Sequence, residues 1–313
     1  MKSRVSVLDA IGNTPLVRLN KITKDLTSEI FVKLEYYNPT GSYKDRMAYA
    51  MIDEAEKEGK LKQGYTVIEY TGGSTGSSLA FVCAIKGYKL KIVSSDAFSQ
   101  EKIKTMKAFG AEVIIVPSEE HRITPDLVPR MIEKARQLAS KPNTYWTNQL
   151  YNHHQLKGHN KMGKEILAQT NDLVDAFVAS VGSAGCAMGV SEVLKARNRN
   201  IRVVVVEPAE SPMISKGQAG EHHIEGIGAG FIPPLLRKDL YDEVIVVKEK
   251  DAKQMARRLA REEGVFSGTS TGANVVASIE LAKKSKNRSK IVTVAVDTGL
   301  KYLLTEPYRE LVL

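Results

Sequence analysis

A lysine lies where a tight turn meets the predicted start of a helix. The stretch NPTGSYKDRMA spans residues 38–48, and its Asn-Pro and Gly favour a turn. Apolar residues at helical spacing follow over residues 45–58. A lysine gains nothing from the positive end of a helix dipole. Burial in a constrained turn lowers the pKa of a lysine and yields a free amine that attacks carbonyls, so Lys44 is the first candidate for chemistry.

Three glycine-rich turns each precede a predicted helix. They are TGGSTG (71–76), VGSAGCAMG (181–189) and SGTSTG (267–272). Glycines let backbone N–H groups approach a ligand, and the positive end of the helix dipole adds its charge, so each turn can bind phosphate or carboxylate. An anion-binding turn and an amine nucleophile together suit a phosphorylated aldehyde. Pyridoxal phosphate is the obvious candidate.

Nucleotide-binding and metal-binding motifs do not fit this chain. The turn at Gly182 has Ala184 and Ala187 where a dinucleotide fingerprint requires glycine. GHNKMGKE, residues 158–165, ends in Glu165 where a phosphate loop has Ser or Thr, and we interpret this match as accidental. We predict no metal site, because five of the six histidines, His153, His154, His159, His222 and His223, lack the spacing of metal ligands.

A serine hydrolase is an alternative hypothesis, because the pattern G-x-S-x-G occurs twice, centred on Ser74 and Ser270. An elbow serine needs a histidine later in the chain, and none follows Ser270. Ser74 could use His222 or His223. The hypothesis leaves Lys44 and the other anion-binding turns unexplained.

Apolar strands alternate with amphipathic helices from residue 30 onward, which is typical of parallel sheets with helices on both faces. Strands are predicted at 30–34, 65–70, 90–93, 113–116, 176–181, 203–206, 244–247 and 291–296. Helices are predicted at 45–58, 77–85, 99–109, 127–139, 187–196, 251–263 and 272–283. We expect a larger cofactor-binding domain formed by residues 1–48 and 151–313, and a smaller substrate-side domain formed by 49–150.

Composition narrows the class of protein. The chain has 313 residues, of which 42% are hydrophobic, enough for a sizeable core. Its net charge of +9 is spread along the chain without a nucleic-acid module, so we expect a charged surface and no nucleic-acid partner. Cys83 and Cys186 form no CxxC pair, and residues 1–9 lack the apolar stretch of a signal peptide. We expect a cytoplasmic protein that does not associate with membranes.

Several sequence blocks together resemble the cysteine synthase (O-acetylserine sulfhydrylase) and cystathionine β-synthase family, pyridoxal-phosphate enzymes of the tryptophan-synthase-β fold type. The resemblance implies pyridoxal phosphate as cofactor and an α/β fold with two open, twisted, mostly parallel sheets and flanking helices. The blocks run nearly end to end: IGNTPLVRL at 11–19, N-P-x-x-S-x-K ending at Lys44, the loop 71–75, Glu207 with Pro208, GIGAGFIP at 226–233 and SGTSTG at 267–272.

The same resemblance implies roles for individual residues. Lys44 would hold the cofactor as an internal aldimine, and Ser270 would face the pyridine nitrogen, where a hydroxyl suits β-elimination. The cofactor phosphate would be bound by the backbone amides of Gly182, Ser183, Ala184, Gly185 and Cys186. The substrate carboxylate would be bound by Thr71, Gly72, Ser74, Thr75 and Gln149, with Gly226 in a segment that lines the site.

Two loops depart from the family pattern. Relatives usually read T-S-G-N-T where this chain reads T-G-G-S-T, so Gly72 replaces a serine and Ser74 replaces an asparagine near the cofactor ring oxygen. The phosphate loop reads G-S-A-G-C instead of G-T-G-G-T, which keeps a hydroxyl at Ser183 and places Cys186 at the last threonine. We expect Gly72 and Ser74 to open the substrate side of the site and to mark a divergent subfamily.

The resemblance implies a β-replacement reaction. It would make L-cysteine from an O-activated L-serine, such as O-acetylserine, and sulfide through an aminoacrylate intermediate, in a homodimer that acts on small molecules. Cystathionine β-synthase or cysteine desulfhydrase chemistry uses the same core with homocysteine or water and stays open. A non-catalytic binding protein that has kept the fold is a third hypothesis, because two substrate-loop positions are altered.

Overall fold

Strands and helices alternate along the chain in the computed structural model, which describes residues 5–120, 126–285, 287–305 and 307–309. The strands are β1 (Leu16–Arg18), β2 (Glu29–Leu34), β3 (Thr66–Tyr70), β4 (Lys89–Ser95), β5 (Glu112–Val116), β6 (Thr144–Trp146), β7 (Ala176–Ser180), β8 (Arg202–Pro208), β9 (Glu243–Val247) and β10 (Lys290–Ala295). The α-helices are α1 (Lys44–Lys57), α2 (Ser74–Lys86), α3 (Gln100–Ala108), α4 (Leu127–Ala139), α5 (His154–Gln169), α6 (Gly185–Arg197), α7 (Met213–Lys216), α8 (Glu249–Arg258) and α9 (Thr269–Lys284).

The strands and helices predicted from the sequence are present, with ends that differ by a few residues. The prediction missed β1 and β6, because strands of three residues are too short to show alternation. It also missed the single turn of α7 and the whole of α5, where Gly158 and Gly163 interrupt the helical pattern. Residues 158–165 lie inside α5, so their similarity to a phosphate loop is accidental, as predicted.

The chain divides into two units. Unit 1 comprises the residues up to Ile11 together with Lys44–Gln155, and unit 2 comprises Gly12–Tyr43 and Leu156–Leu313. Unit 1 therefore includes the short N-terminal segment, because Leu8 and Ile11 pack against its core. The predicted domain boundaries differ from these units at that segment and by a few residues near 44 and 155, and the roles of the domains stay predictions. Residues 1–4, part of the segment expected to lack a signal peptide, lie outside the described residues.

Unit 1 is built on a parallel sheet with the strand order β5-β4-β3-β6. Helices cover both faces, so successive residues of one strand enter different clusters. Val67 of β3 packs with α1 and α2, whereas Ile68 packs with α4. The segments after β3 and β4 leave the sheet at neighbouring carboxyl ends, the edge where open α/β sheets bind ligands.

Unit 2 is built on a larger sheet with the strand order β1-β2-β10-β7-β8-β9. Strand β1 runs antiparallel to β2, and the other neighbouring strands run parallel. Val204 and Val206 of β8 pack in the cluster that includes α8 and α9, whereas Val205 packs in the cluster that includes α5 and α6. The predicted α/β class, with open, mostly parallel sheets and flanking helices, is confirmed.

Candidate active site

The loop 71–75 joins β3 to α2 in unit 1. Thr71 N donates to Val93 O at 3.0 Å, and Thr71 Oγ1 accepts from Gly73 N at 3.1 Å, so the first half of the loop is fixed to β4. Ser74 is the first residue of α2. A Cβ placed at Gly73 would meet no atom within 4 Å, so the backbone here faces open space. An open helix N-terminus suits a carboxylate ligand.

Gln149 lies beside this loop, although it is distant in the sequence. Thr75 Oγ1 donates to Gln149 Oε1 at 2.8 Å, and Gln149 Nε2 donates to Tyr70 O at 3.1 Å. One side-chain amide thus links the end of β3 to the first turn of α2. The structure therefore brings together the residues that we expected to bind the substrate carboxylate in unit 1.

A buried glutamate that the sequence analysis missed holds Gln149 in place. Glu69 has no exposed surface, and its carboxylate accepts hydrogen bonds from Tyr70 N (2.9 Å), Thr147 Oγ1 (2.7 Å) and Gln149 N (2.9 Å). Burial raises the pKa of Glu69 to about 7, and the hydrogen bonds oppose that rise. A charged residue within the apolar run TVIEY was the available signal.

The structure corrects the expectation that Gly72 opens the substrate side of the loop. A Cβ placed at Gly72 would lie 2.3 to 2.5 Å from three atoms of the Phe98 ring. The ring therefore occupies the volume that a side chain at position 72 would take. The sequence analysis missed Phe98, because nothing in its local sequence distinguishes it from a core residue.

Lys44 is the first residue of α1, directly after Tyr43, as the sequence predicted. Met47 and Ala48 of the same helical turn are fully buried in the core of unit 1, so packing fixes the helix start. The lysine itself is only partly buried.

The glycine-rich segment 181–186 joins β7 to α6 in unit 2. Ala184 has a left-handed φ of 66°, which turns the chain into the helix that begins at Gly185. Met188 N donates to Ala184 O at 2.9 Å, and the helical N–H groups before Met188 have no carbonyl one turn earlier to bind. Such amides, together with the positive end of the helix dipole, suit an anionic ligand.

A close backbone contact requires glycine at position 182. A Cβ at Gly182 would lie 2.2 Å from Gly226 O. Gly228 N donates to Val181 O at 3.1 Å, so the two segments are also hydrogen-bonded. Unit 2 thus brings Gly226 next to the predicted phosphate loop.

Ser270 lies on the first turn of α9 and is buried. The helix start is attached to the sheet by two side chains. Thr271 Oγ1 accepts from Val296 N at 3.0 Å, and Asn274 Oδ1 accepts from Ser180 N at 2.7 Å. These bonds place Ser270 at the carboxyl end of β7, the strand from which the phosphate loop emerges.

The residues present fit pyridoxal phosphate. The amides at the start of α6 and the hydroxyl of Ser183 are groups that can donate to a phosphate. Glycine at position 182, required by the contact with Gly226, means that no side chain there covers the loop backbone. In unit 1, Lys44 carries the amine that an aldehyde cofactor requires, and in unit 2 Ser270 carries a hydroxyl. The donor set needs no metal, and among the described residues no cluster of histidine, cysteine or acidic side chains is arranged to hold one.

The alternative sites are weaker in the structure. His222 Nε2 is 2.9 Å from Gly228 O, and His223 Nδ1 is 3.2 Å from Glu249, so both candidate hydrolase histidines are engaged within unit 2.

Cys83 and Cys186 are buried free thiols. Within the described part of the chain, no helix has the length and apolar character needed to cross a bilayer.

The α/β fold and the glycine-rich turn of unit 2 suit an enzyme that binds a phosphorylated cofactor, and the comparison with known families agrees. The chain belongs to the family of pyridoxal-phosphate dependent enzymes, whose model matches residues 7–298. Pyridoxal phosphate is therefore its cofactor. The prediction that the chain is an enzyme and the resemblance to the cysteine synthase family are both confirmed.

Individual relatives cover almost the whole chain. A cysteine synthase of Staphylococcus aureus is 41% identical over 305 residues, which are 97% of this chain and 96% of that protein. The crystal structure of a cysteine synthase from Entamoeba histolytica matches with a TM-score of 0.94 and 36% identity, over 98% of this chain and 91% of that one. A hydrogen sulfide-producing enzyme from Fusobacterium nucleatum matches with a TM-score of 0.90 and 40% identity, over 96% of this chain and 100% of that one.

Proposed function

We propose that the protein makes L-cysteine from O-acetyl-L-serine and sulfide by β-replacement. The observation that carries the proposal is the arrangement in unit 1, where Thr75, Gln149 and Glu69 hold the loop 71–75 at an open helix N-terminus. Such an N-terminus suits the carboxylate of an amino-acid substrate. The cysteine synthases among the relatives support the choice of reaction.

Bound pyridoxal phosphate supplies an electron sink that stabilises negative charge at the substrate Cα. Lys44 would hold it covalently through Nζ, and the amides of residues 182–186 would bind its phosphate. Ser270 would lie at its ring nitrogen and Ser74 near its ring oxygen. Gly226 would line the site.

Residues of this chain would bind the substrate and move its Cα proton. The loop 71–75 and Gln149 would bind the substrate carboxylate and orient the Cα–H bond. Lys44 Nζ, once released by the amino group of the substrate, would accept the Cα proton as general base. Acetate would leave from Cβ with its bonding electron pair, hydrosulfide would form the new bond at the same carbon, and Lys44 Nζ would return the proton to Cα.

Replacement of Lys44 tests this assignment. We expect Lys44→Ala to lose cysteine formation and to lose the covalent link, whereas Lys60→Ala, a change at an exposed lysine of the same unit, keeps both. Borohydride reduction followed by peptide mass mapping should place the cofactor mass on the Lys44 peptide of the wild-type protein. Cofactor mass on another lysine, or an active Lys44→Ala variant, would sink the assignment.

A related reaction is a second candidate, because one structural relative is named a hydrogen sulfide-producing enzyme. Such an enzyme would take L-cysteine as substrate and release sulfide, and homocysteine as nucleophile would give cystathionine. Product analysis separates these reactions: sulfide released from L-cysteine faster than cysteine forms from O-acetyl-L-serine would favour the second candidate.

We further propose the role of each unit, the cellular compartment and the oligomeric state. Unit 2 carries most of the residues expected to bind the cofactor, unit 1 carries the substrate loop 71–75, and the enzyme acts as a cytoplasmic homodimer. Light scattering on the eluted protein should give twice the mass of one chain, and the mass of a single chain would exclude the dimer.

A further inference from the structure

The Phe98 ring stands where the side chain of residue 72 would be. Three ring atoms, Cγ, Cδ1 and Cε1, lie 2.3 to 2.5 Å from a Cβ placed at Gly72. Distances this short cannot exist in a folded protein, so a side chain at position 72 and the present position of the ring exclude each other.

The backbone at Gly72 is not what requires glycine. Its φ lies outside the left-handed region, unlike that of Gly87 at the end of α2. Gly73, the next residue, has open space around its Cβ position. The contact with the Phe98 ring therefore accounts for glycine at position 72, and the two positions depend on each other.

The turn that carries Phe98 is fixed to the same sheet edge as the loop. β3 and β4 are parallel neighbours, with Tyr70 opposite Val93. Phe98 N donates to Ser95 O at 3.2 Å, and Asp96 Oδ1 accepts from Ser118 N at 2.8 Å, which holds the turn after β4. Phe98 packs against the cluster that contains Tyr70 and Val93, and it remains partly exposed.

We propose that Phe98 is a specificity-determining residue, whose ring replaces a side chain at position 72 as the wall beside the β-substituent of the bound amino acid. This inference rests on the proposed function, in which the loop 71–75 binds the substrate carboxylate. An aromatic face gives dispersion contacts and no N–H or O–H donor. It therefore favours an acyl ester or a thiol at Cβ and disfavours a phosphate ester, whose charged oxygens require donors.

Steric exclusion is tested by a double-mutant cycle in urea unfolding. Gly72→Ser should lower the urea midpoint, because the ring must leave its packed position. Adding Phe98→Ala should remove that effect, so that serine at position 72 costs nothing when the ring is absent. Additive midpoints for the single and double variants would overturn the proposal, since they would show that the two positions do not compete for space.

Specificity is tested by comparing O-acetyl-L-serine with O-phospho-L-serine as donors. Phe98→Ala should lower the kcat/KM for O-acetyl-L-serine relative to that for O-phospho-L-serine by about tenfold. This is the scale of one apolar contact in a binding pocket. Phe109→Ala is the matched control, because Phe109 follows α3 and pairs with Phe81, and its ratio should stay at the wild-type value. An unchanged ratio in Phe98→Ala, with coupled urea midpoints, would overturn the specificity role. A wild-type protein that turns over neither donor would instead overturn the proposed function and the inference with it.

Discussion

Glu69 is a carboxyl group on which burial and hydrogen bonding act in opposite directions. Its ionised form accepts from Tyr70 N, Gln149 N and the Thr147 hydroxyl. The Thr147 hydroxyl also lies 3.3 Å from Ile68 O, so it can donate to that carbonyl and accept a hydrogen bond from a neutral Glu69. The carboxyl group can thus hold Gln149 in either charge state.

The raised pKa of Glu69 predicts a pH-dependent stability. Its folded value of about 7 lies above the ordinary 4.5, so between these values the folded protein binds a proton that the unfolded chain has released. The free energy of unfolding should therefore fall as the pH rises from 4.5 to 7, by about 3 kcal/mol for the full shift. Below pH 4.5 the contribution is fully present.

Urea unfolding at pH 5 and pH 8 measures this effect. Glu69→Gln cannot titrate at this position. The unfolding free energy of wild type, measured relative to that of Glu69→Gln, should therefore fall by about 3 kcal/mol from pH 5 to pH 8. Glu133→Gln, at an exposed position on α4, should follow wild type at both pH values. Equal pH dependence in wild type and Glu69→Gln would show that Glu69 ionises normally.

The sequence pointed to some site residues and not to others, for a physical reason. Lys44 and the glycine-rich turns are visible because their chemistry depends on neighbours in the chain. Glu69 and Phe98 act on residues that are brought close only by folding, and Gln149 lies 80 positions from Glu69. The effect of glycine at position 72 was misjudged for the same reason, since the sequence does not show what fills the space beside it.

At the scale of elements, a fully buried side chain of α9 bonds to two strands of its sheet. Asn274 accepts from Ser180 N at the end of β7 and donates to Val294 O of β10 at 2.9 Å. Asn274→Ala should leave both backbone groups buried without a partner and lower the free energy of unfolding by about 3 kcal/mol. Chemical denaturation checks this, with Asn20→Ala at an exposed position as control. A loss equal to that of the control would contradict the assigned role.

Helix α5 shows why element prediction failed in one place. Gly163 would place a Cβ 2.9 Å from Val193 Cβ of α6, and Gly189 of α6 would place one 2.7 Å from Leu156 O of α5. Both glycines allow these helices to approach closely, although glycine in a sequence normally indicates a turn. The longer strands were predictable, because buried parallel strands are continuous apolar runs that are visible in the sequence itself.

At the scale of the whole molecule, the cofactor should contribute to stability. A ligand that binds only the folded state stabilises it by about 4 kcal/mol at a thousand times its Kd. Adding pyridoxal phosphate to the apoprotein should raise the melting temperature, and pyridoxal, which lacks the phosphate, should raise it much less. Gly182→Ala should weaken the response to pyridoxal phosphate, because its Cβ would collide with Gly226 O. Equal shifts with both compounds would contradict a phosphate site at residues 182–186.

The most direct test of the central claim is the visible absorption spectrum of the purified holoprotein during addition of O-acetyl-L-serine and then sulfide. The account predicts that the band of the bound cofactor is replaced when the amino acid is added and returns when sulfide is added, with one L-cysteine formed per cofactor in the first turnover. A band that does not respond to O-acetyl-L-serine would contradict the proposal that this chain catalyses β-replacement on that substrate.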